Sequence, residues 1–413
     1  MFATRKITRY IMVIMTKAPS FIHTFYVLSG LAILSPMAMD SFLPAIDNAA
    51  RGLNTDVGQI MVAFGFLSAG VGVGQLIFGP LSDQFGRKPV IIIGLLLYIL
   101  SAGLSASVTS VEPLFFLRFC HGVAVASTMI ILRAVVRDLF GLKQGANLFA
   151  KLFMVLAMMP LIGPVIGGHL TVWFGWRSVF MMMALSATIV LIIIYFHLEE
   201  SLKSENKRAM TPRILAVSFA EIIRDRTFVV FLLVGAGGYG GIFAILTALA
   251  PVMTGLLNQP ADIFGYQFAA IMVGHLIAAM MAGRIVSKIG IKKIVFVGSF
   301  FNLIGGSLML GFAMAGMTTI YTILVPAAIF LIGFALSVAA MTAGALSNFQ
   351  HMAGRATSLL GFLQQCSGAT ISITLGLTAD GTQIPLAIAL TGASAFAFFS
   401  FVLLSPGTKL RAD

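Results

Sequence analysis

Asp40 places a carboxylate in an apolar run of membrane-crossing length, from Phe25 through Pro36 to Pro44 and Ala45. An acid inside a span costs about 2.5–3.5 kcal/mol on insertion, so such residues tend to lie on ion or substrate paths, and a proton site is the first expectation. A second charge, Arg118, stands in the apolar run Leu114 to Gly122. Asp40 precedes the outer end of its run, near Asp47, by seven residues, and Arg118 follows the outer start of its run, near Glu112, by six. At 1.5 Å per helical residue both lie roughly 10 Å below the same surface, where they are able to face each other. Burial favours the neutral carboxyl and a guanidinium the ionised one, and that balance is what carrying a proton requires. Two other readings stay open: Arg118 snorkelling to the outer interface, and Asp40 hydrogen-bonding a helix break near Pro36 and Pro44.

The elements that must position these groups follow from composition. The chain has 413 residues, 59% hydrophobic and 10% charged, with a mean hydropathy of +1.02. No soluble globular composition approaches this, so the expected class is an all-α polytopic membrane protein embedded in the lipid bilayer. Apolar runs predict spans near 24–46, 58–82, 89–108, 113–136, 147–171 and 178–198, then near 227–254, 262–284, 292–314, 318–345, 355–379 and 383–404. Residues 199–226 carry five acids and six bases and cannot enter lipid. The expected organisation is therefore a six-helix half at 1–198, a linker at 199–226 and a second six-helix half at 227–413.

The net charge of +12 would suit nucleic acid, but its distribution argues otherwise. With sides alternating, Arg51 and Arg177 fall on one face, Arg118 lies within a span, and every other Lys and Arg falls on the opposite face. This bias puts both termini in the cytoplasm, and no nucleic-acid partner is expected. The amino-terminal arm, with Arg5, Lys6, Arg9 and Lys17, surrounds too short an apolar run for a cleaved signal peptide. Cys120 and Cys366 lie in spans, which argues against a disulfide framework or a metal site. Gly79, Gly86, Lys88 and Gly94 recur as Gly283, Gly290, Lys292 and Gly298 at a constant offset of 204 residues, as in transporters built from related halves.

After the second span comes Gly79-Pro80-Leu81-Ser82-Asp83-Gln84-Phe85-Gly86-Arg87-Lys88. This turn resembles the loop signature G-x-L-S-D-x-x-G-R-[RK] of the major facilitator superfamily. The resemblance implies a major facilitator fold, with Gly79, Asp83, Gly86 and Arg87 acting as a conformational latch that holds the halves in the outward-facing state and Asp138 as its acidic partner. In the second copy Ser287 replaces the acid and Ile291 the Arg, so that copy is expected to latch weakly or not at all. The Arg118 segment resembles the superfamily's proton-linked motif. Gly163-Pro164-Val165-Ile166-Gly167-Gly168 resembles its antiporter motif, against the plainer reading of a small-residue helix interface. Asp40-Ser41-Phe42-Leu43-Pro44-Ala45, Arg133 to Asp138 and Ala353 to Gln364 are similar to the bicyclomycin and chloramphenicol resistance branch of drug:proton antiporters, which usually has Thr where this chain has Arg355.

By that resemblance, spans 1, 4, 7 and 10 line a cavity for a small-molecule substrate, with the proton as coupling ion, no other cofactor, and a monomer in the bacterial inner membrane. Tyr239, in the glycine cluster of span 7, with His275, Gln364 and Gln365, are candidate substrate contacts; close packing and satisfied interhelical hydrogen bonds are the competing readings. A metabolite exporter on the same scaffold is the alternative function. No G-x-S-x-G, H-E-x-x-H or G-x-x-x-x-G-K-[ST] occurs, so an enzyme is not expected.

Overall fold

The computed structural model describes residues 21–202 and 212–406. The amino-terminal basic arm and Glu205 of the linker lie outside the described residues. Among the described residues, eleven helices are long and apolar enough to cross a membrane: Phe21–Gly52, Val57–Phe85, Arg87–Ser105, Val111–Gly141, Gln144–Phe174, Arg177–His197, Arg226–Leu256, Ala261–Ile289, Ile291–Met314, Ile320–Leu346 and Ile384–Leu404. The remaining expected span, the eleventh, is the 25-residue helix Ala353–Leu377. It is long enough to cross but carries Gln364, Gln365, Ser367 and Thr370. Its polarity has a physical outlet, because it packs against span 2 of the first half and span 7 of the second. The twelve spans thus form two six-helix halves, joined through spans 2 and 11 and through spans 5 and 8.

Three backbone features shape the spans. Span 1 stops as an α-helix at Asp40, passes through the 3-10 turn Leu43–Ala45 and resumes as Ile46–Gly52. Pro44 has no N–H to continue the ladder. Spans 4 and 5 run as one helical path interrupted at Gly141, whose φ of 60° with ψ of −166° only glycine adopts readily. The turns after spans 2 and 8 both end in left-handed glycines, Gly86 at φ 108° and Gly290 at φ 83°.

The repeat read from the sequence therefore has a structural counterpart, and it extends into packing. Gly94 seats Ser127 of span 4, and Gly298 seats Ser337 of span 10.

The linker, expected only to bridge the halves, contains an amphipathic helix, Pro212–Arg224. Its Ser218 and Ile222 are buried. Arg355, at the start of span 11, donates from Nη1 to Ser218 Oγ at 2.8 Å, so this departure from the branch pattern ties the linker to the second half. Asp225 caps span 7 by accepting from the Phe228 amide at 2.7 Å.

The two tryptophans of the segment Trp173 to Arg177 differ in environment. Trp173 is exposed, but Trp176 is buried against Gly52.

Candidate functional site

The break in span 1 sets the geometry around Asp40. A helix leaves its last carbonyls without intrahelical donors, and Ala38 lies in that last turn. Arg118 Nη1 donates to the Ala38 carbonyl at 3.4 Å. The guanidinium also lies 5.0 Å from the centroid of the Phe42 ring, 5.5 Å from that of Phe180 and 6.0 Å from that of Phe64. Arg118 is 0% exposed, and its Nε and Nη2 have no hydrogen-bond partner. Cation–π contact offsets part of the cost of burying such a charge.

Asp40 and Arg118 do not form the expected ion pair; no nitrogen of one comes within 4.0 Å of an oxygen of the other. The depth argument puts the two at one level, but the unwound turn directs the Asp40 side of span 1 toward span 5. A Cβ added at Gly163 would lie 3.5 Å from Asp40 Cβ and 3.1 Å from Ser41 Oγ. Gly167, one turn on, lies directly against the Ser41 carbonyl. Asp40 is nonetheless 5% exposed, buried in protein and not turned into acyl chains, and Arg118 does not snorkel.

The glycine motif of span 5 is more than a generic interface. While Gly163 and Gly167 seat the Asp40 turn, Gly168 abuts the backbone of Ala261 and Asp262 at the start of span 8, and Gly265 abuts Pro164 and Val165. One short segment thus touches the proton candidate on one side and the opposite half on the other. Nearby contacts close this face of the molecule, opposite the linker. Thr254 Oγ1 donates to Asp47 Oδ2 across the halves, His169 Nε2 lies 3.0 Å from the Tyr266 hydroxyl, and Gly58 and Gly376 meet backbone to backbone.

On the linker face, Arg87 is 2% exposed and donates from Nη1 to Asp83 Oδ1 at 2.6 Å and to Ser82 Oγ at 2.8 Å, and from Nε to Asp138 Oδ2 at 2.9 Å. The expected latch residues are together, within the first half. Sequence reasoning missed Glu200, whose carboxylate accepts from the Arg87 amide at 2.9 Å and the Lys88 amide at 3.1 Å. It satisfies orphan donors at the start of span 3, a role invisible across 113 residues of separation. In the second copy Ser287 Oγ donates locally to the Arg284 carbonyl.

The substrate candidates divide. Tyr239 meets Phe334 edge-on at 5.4 Å, and His275 stacks on the same ring at 6.3 Å, so spans 7, 8 and 10 converge there. His275 Nδ1 lies 3.0 Å from the Leu331 carbonyl, and Gln365 Oε1 accepts from Ser68 of span 2 at 3.0 Å; both are interhelical bonds. Gln364 is buried with its Nε2 unpartnered, beside Gly235. The glycine cluster does not interrupt span 7: the helix runs unbroken from Arg226 to Pro251. Its glycines admit neighbours instead, Gly237 the backbone of Ala393 and Gly241 the Phe330 ring. His121 was not foreseen. It is fully buried with both ring nitrogens unpartnered, and its ring meets that of Tyr98 edge-on at 4.3 Å.

Comparison with known proteins agrees with this architecture. The profile of the Major Facilitator Superfamily matches residues 28–373. A bicyclomycin resistance protein homolog of Haemophilus influenzae is 26% identical, over 86% of this chain and 89% of its own length. The multidrug resistance protein MdtL of Vibrio parahaemolyticus is 28% identical over 82% and 85%, and a chloramphenicol resistance protein of Pseudomonas aeruginosa 26% over 81% and 79%. Among solved structures, a D-xylose-proton symporter superimposes with a TM-score of 0.74 at 18% identity, covering 95% of this chain and 99% of that one, a likeness of fold alone. With its profile match, its two six-helix halves and its Asp83–Arg87–Asp138 turn in place, the chain belongs to the major facilitator superfamily.

Proposed function

We propose that this chain is a proton-coupled multidrug efflux antiporter that exports small, largely apolar compounds across the bacterial inner membrane by alternating access. The proton is its coupling ion, and it is a transporter and not an enzyme. The carrying observation is the span 5 segment Gly163–Gly168, which seats the Asp40 turn and also abuts span 8 of the opposite half. The resistance proteins among its relatives support the drug-exporting direction.

In this reading the halves are residues 1–198 and 227–413, joined by the linker 199–226, and the face rich in Lys and Arg, with both termini, is cytoplasmic. The contacts around Asp47, Gly58 and His169 then close the outer face.

Drug enters from the cytoplasm with Asp40 ionised. Once the halves rock, a proton arriving from outside neutralises Asp40, weakens the attraction between the span 1 break and the Arg118 guanidinium, and lets the Asp40 turn shift on the span 5 glycines. That shift passes to span 8 through Gly168 and Gly265. One proton crossing 100 mV supplies about 2.3 kcal/mol, enough for a drug gradient of nearly 50-fold.

The test is efflux from proteoliposomes under an imposed pH gradient. Asp40→Asn should abolish gradient-driven efflux while leaving substrate binding in place; full exchange by the variant would move coupling to another residue.

A further inference from the structure

The face opposite the linker, where Thr254 donates to Asp47 across the halves, holds a cavity of about 300 Å³ beside that contact. Its walls come from both halves: Asp47 of span 1 with Val57 and Met61 of span 2, against Val252, Leu256, Leu375 and Leu386 of spans 7, 11 and 12. The turn before span 12 completes the rim with Asp380. Span 7 gives up α geometry at this point, because Val252–Leu256 forms a π turn with the Leu257 amide bonded to the Val252 carbonyl at 3.1 Å. Such turns are rare and gather at functional sites. This one brings its Gly255 against span 1, where an added Cβ would lie 3.4 Å from Asp47 Oδ1.

The charge around the cavity has one sign. Its lining carries Asp47 and Asp380 and no Lys, Arg or His. Arg51, one turn past Asp47, is exposed, forms no ion pair with it and does not line the cavity. Asp47 accepts the Thr254 hydroxyl on Oδ2, while its Oδ1 accepts no hydrogen bond among the described residues. Asp380 Oδ1 already accepts from the amide and hydroxyl of Thr382 at 2.8 and 2.7 Å. Asp47 Oδ1 is therefore the acceptor left for an occupant, at a half-buried position where water screens it less than it screens Asp380.

An apolar enclosure at the small end of ligand cavities, with one open carboxylate oxygen, fits a single ring on a short arm that ends in an ammonium group. A carboxylate of the same shape gains no donor there and meets two like charges. We propose that this cavity is a binding site, separate from the Asp40 turn, for small arylalkyl ammonium compounds, anchored on Asp47 Oδ1 and holding the two halves together on this face. A ligand that touches both halves favours the state in which they meet. That holding role rests on the alternating-access reading, whereas binding itself does not.

The probes are a matched pair, 2-phenylethylammonium and 3-phenylpropionate, titrated calorimetrically into the purified full chain without any pH gradient. The ammonium should bind about tenfold tighter or more than the carboxylate, as a charge-assisted hydrogen bond implies. Asp47→Asn should erase that preference, whereas Thr254→Val, which removes the hydrogen bond between the halves and keeps the carboxylate, should retain it. Amide hydrogen exchange of the parent chain should slow on ammonium binding around Asp47 in one half and around Val252 and Asp380 in the other. Equal or tighter binding of the carboxylate, failure of both probes to bind, an Asp47→Asn variant that still prefers the ammonium, a Thr254→Val variant that does not, or protection confined to one half would overturn the proposal. Asp40→Asn should keep the ammonium preference while failing in gradient-driven efflux, so that failure of this site and failure of the exporter reading are told apart.

Discussion

Arg118 donates to the backbone carbonyl of Ala38, two residues before Asp40, and not to the Asp40 carboxylate. The guanidinium therefore holds the broken end of span 1 by its peptide and keeps two nitrogens, Nε and Nη2, without partners. A buried polar group left unsatisfied is costly, and here that cost falls on the residue that fixes the end of span 1. The relationship separates what Arg118 contributes to packing from what it contributes to coupling.

Arg118→Met should show that separation. Replacing a buried charge by an apolar side chain of similar volume is often neutral or stabilising. The melting temperature of the purified variant should stay within about 5 °C of the parent, the shift that about 1 kcal/mol or less produces in small domains, while pH-driven efflux in proteoliposomes falls to background. Efflux at parental rate would remove Arg118 from the coupling site.

Steric contact at the span 5 motif makes a graded prediction. At Gly167 a methyl would run into the Ser41 carbonyl, whereas at Gly163 its nearest neighbour is Ser41 Oγ at 3.1 Å, a hydroxyl able to turn aside. Gly167→Ala should destabilise by about 1–3 kcal/mol, the usual cost of overpacking, and stop exchange. Gly163→Ala should be milder in both thermal melting and counterflow, and the reverse order would contradict the packing described.

The latch should respond to its two acids unequally. Arg87 is buried, the Asp138 side chain is 15% exposed and that of Asp83 28%. Asp138→Asn removes the more sheltered charge and should cost about 1.5–3 kcal/mol, with Asp83→Asn toward or below the lower end of that range. Denaturation in detergent, monitored by tryptophan emission, ranks the two; equal effects would mean that solvent screens both.

Asp380 supplies a control for pH. It lies in the turn before span 12, where the Thr382 hydroxyl at 2.7 Å and amide at 2.8 Å hold its carboxyl below the usual carboxylate range. Because its folded-state value is depressed, its contribution is present at and above the unfolded value of about 3.9 and is lost only as pH falls through the lower folded value. Between pH 5 and 8 it stays ionised, so Asp380→Asn should leave the pH profile of transport unchanged. A flattened profile in this variant would implicate the outer turn in proton entry.

Apolar run lengths and the placement of Lys and Arg determined the number of spans and their halves without any tertiary information, because crossing lipid needs about 20 apolar residues whatever the packing. The latch was legible for a similar reason: Asp83 and Arg87 are one helical turn apart, and Gly86 marks the backbone reversal between them.

Tertiary structure alone decided what these groups meet. Span 11 carries its glutamines because Gln365 meets Ser68 and Gln364 abuts Gly235. Glu200 caps span 3, Arg355 fastens the linker helix, and Thr254 reaches Asp47 across the halves. Above all, the turn at Ser41 aims Asp40 at span 5 and leaves Arg118 with a carbonyl. Depth along a helix follows from counting residues, but azimuth follows from where the helix unwinds and which neighbour has room for it. Gly163 and Gly167 provide that room from more than 120 residues away.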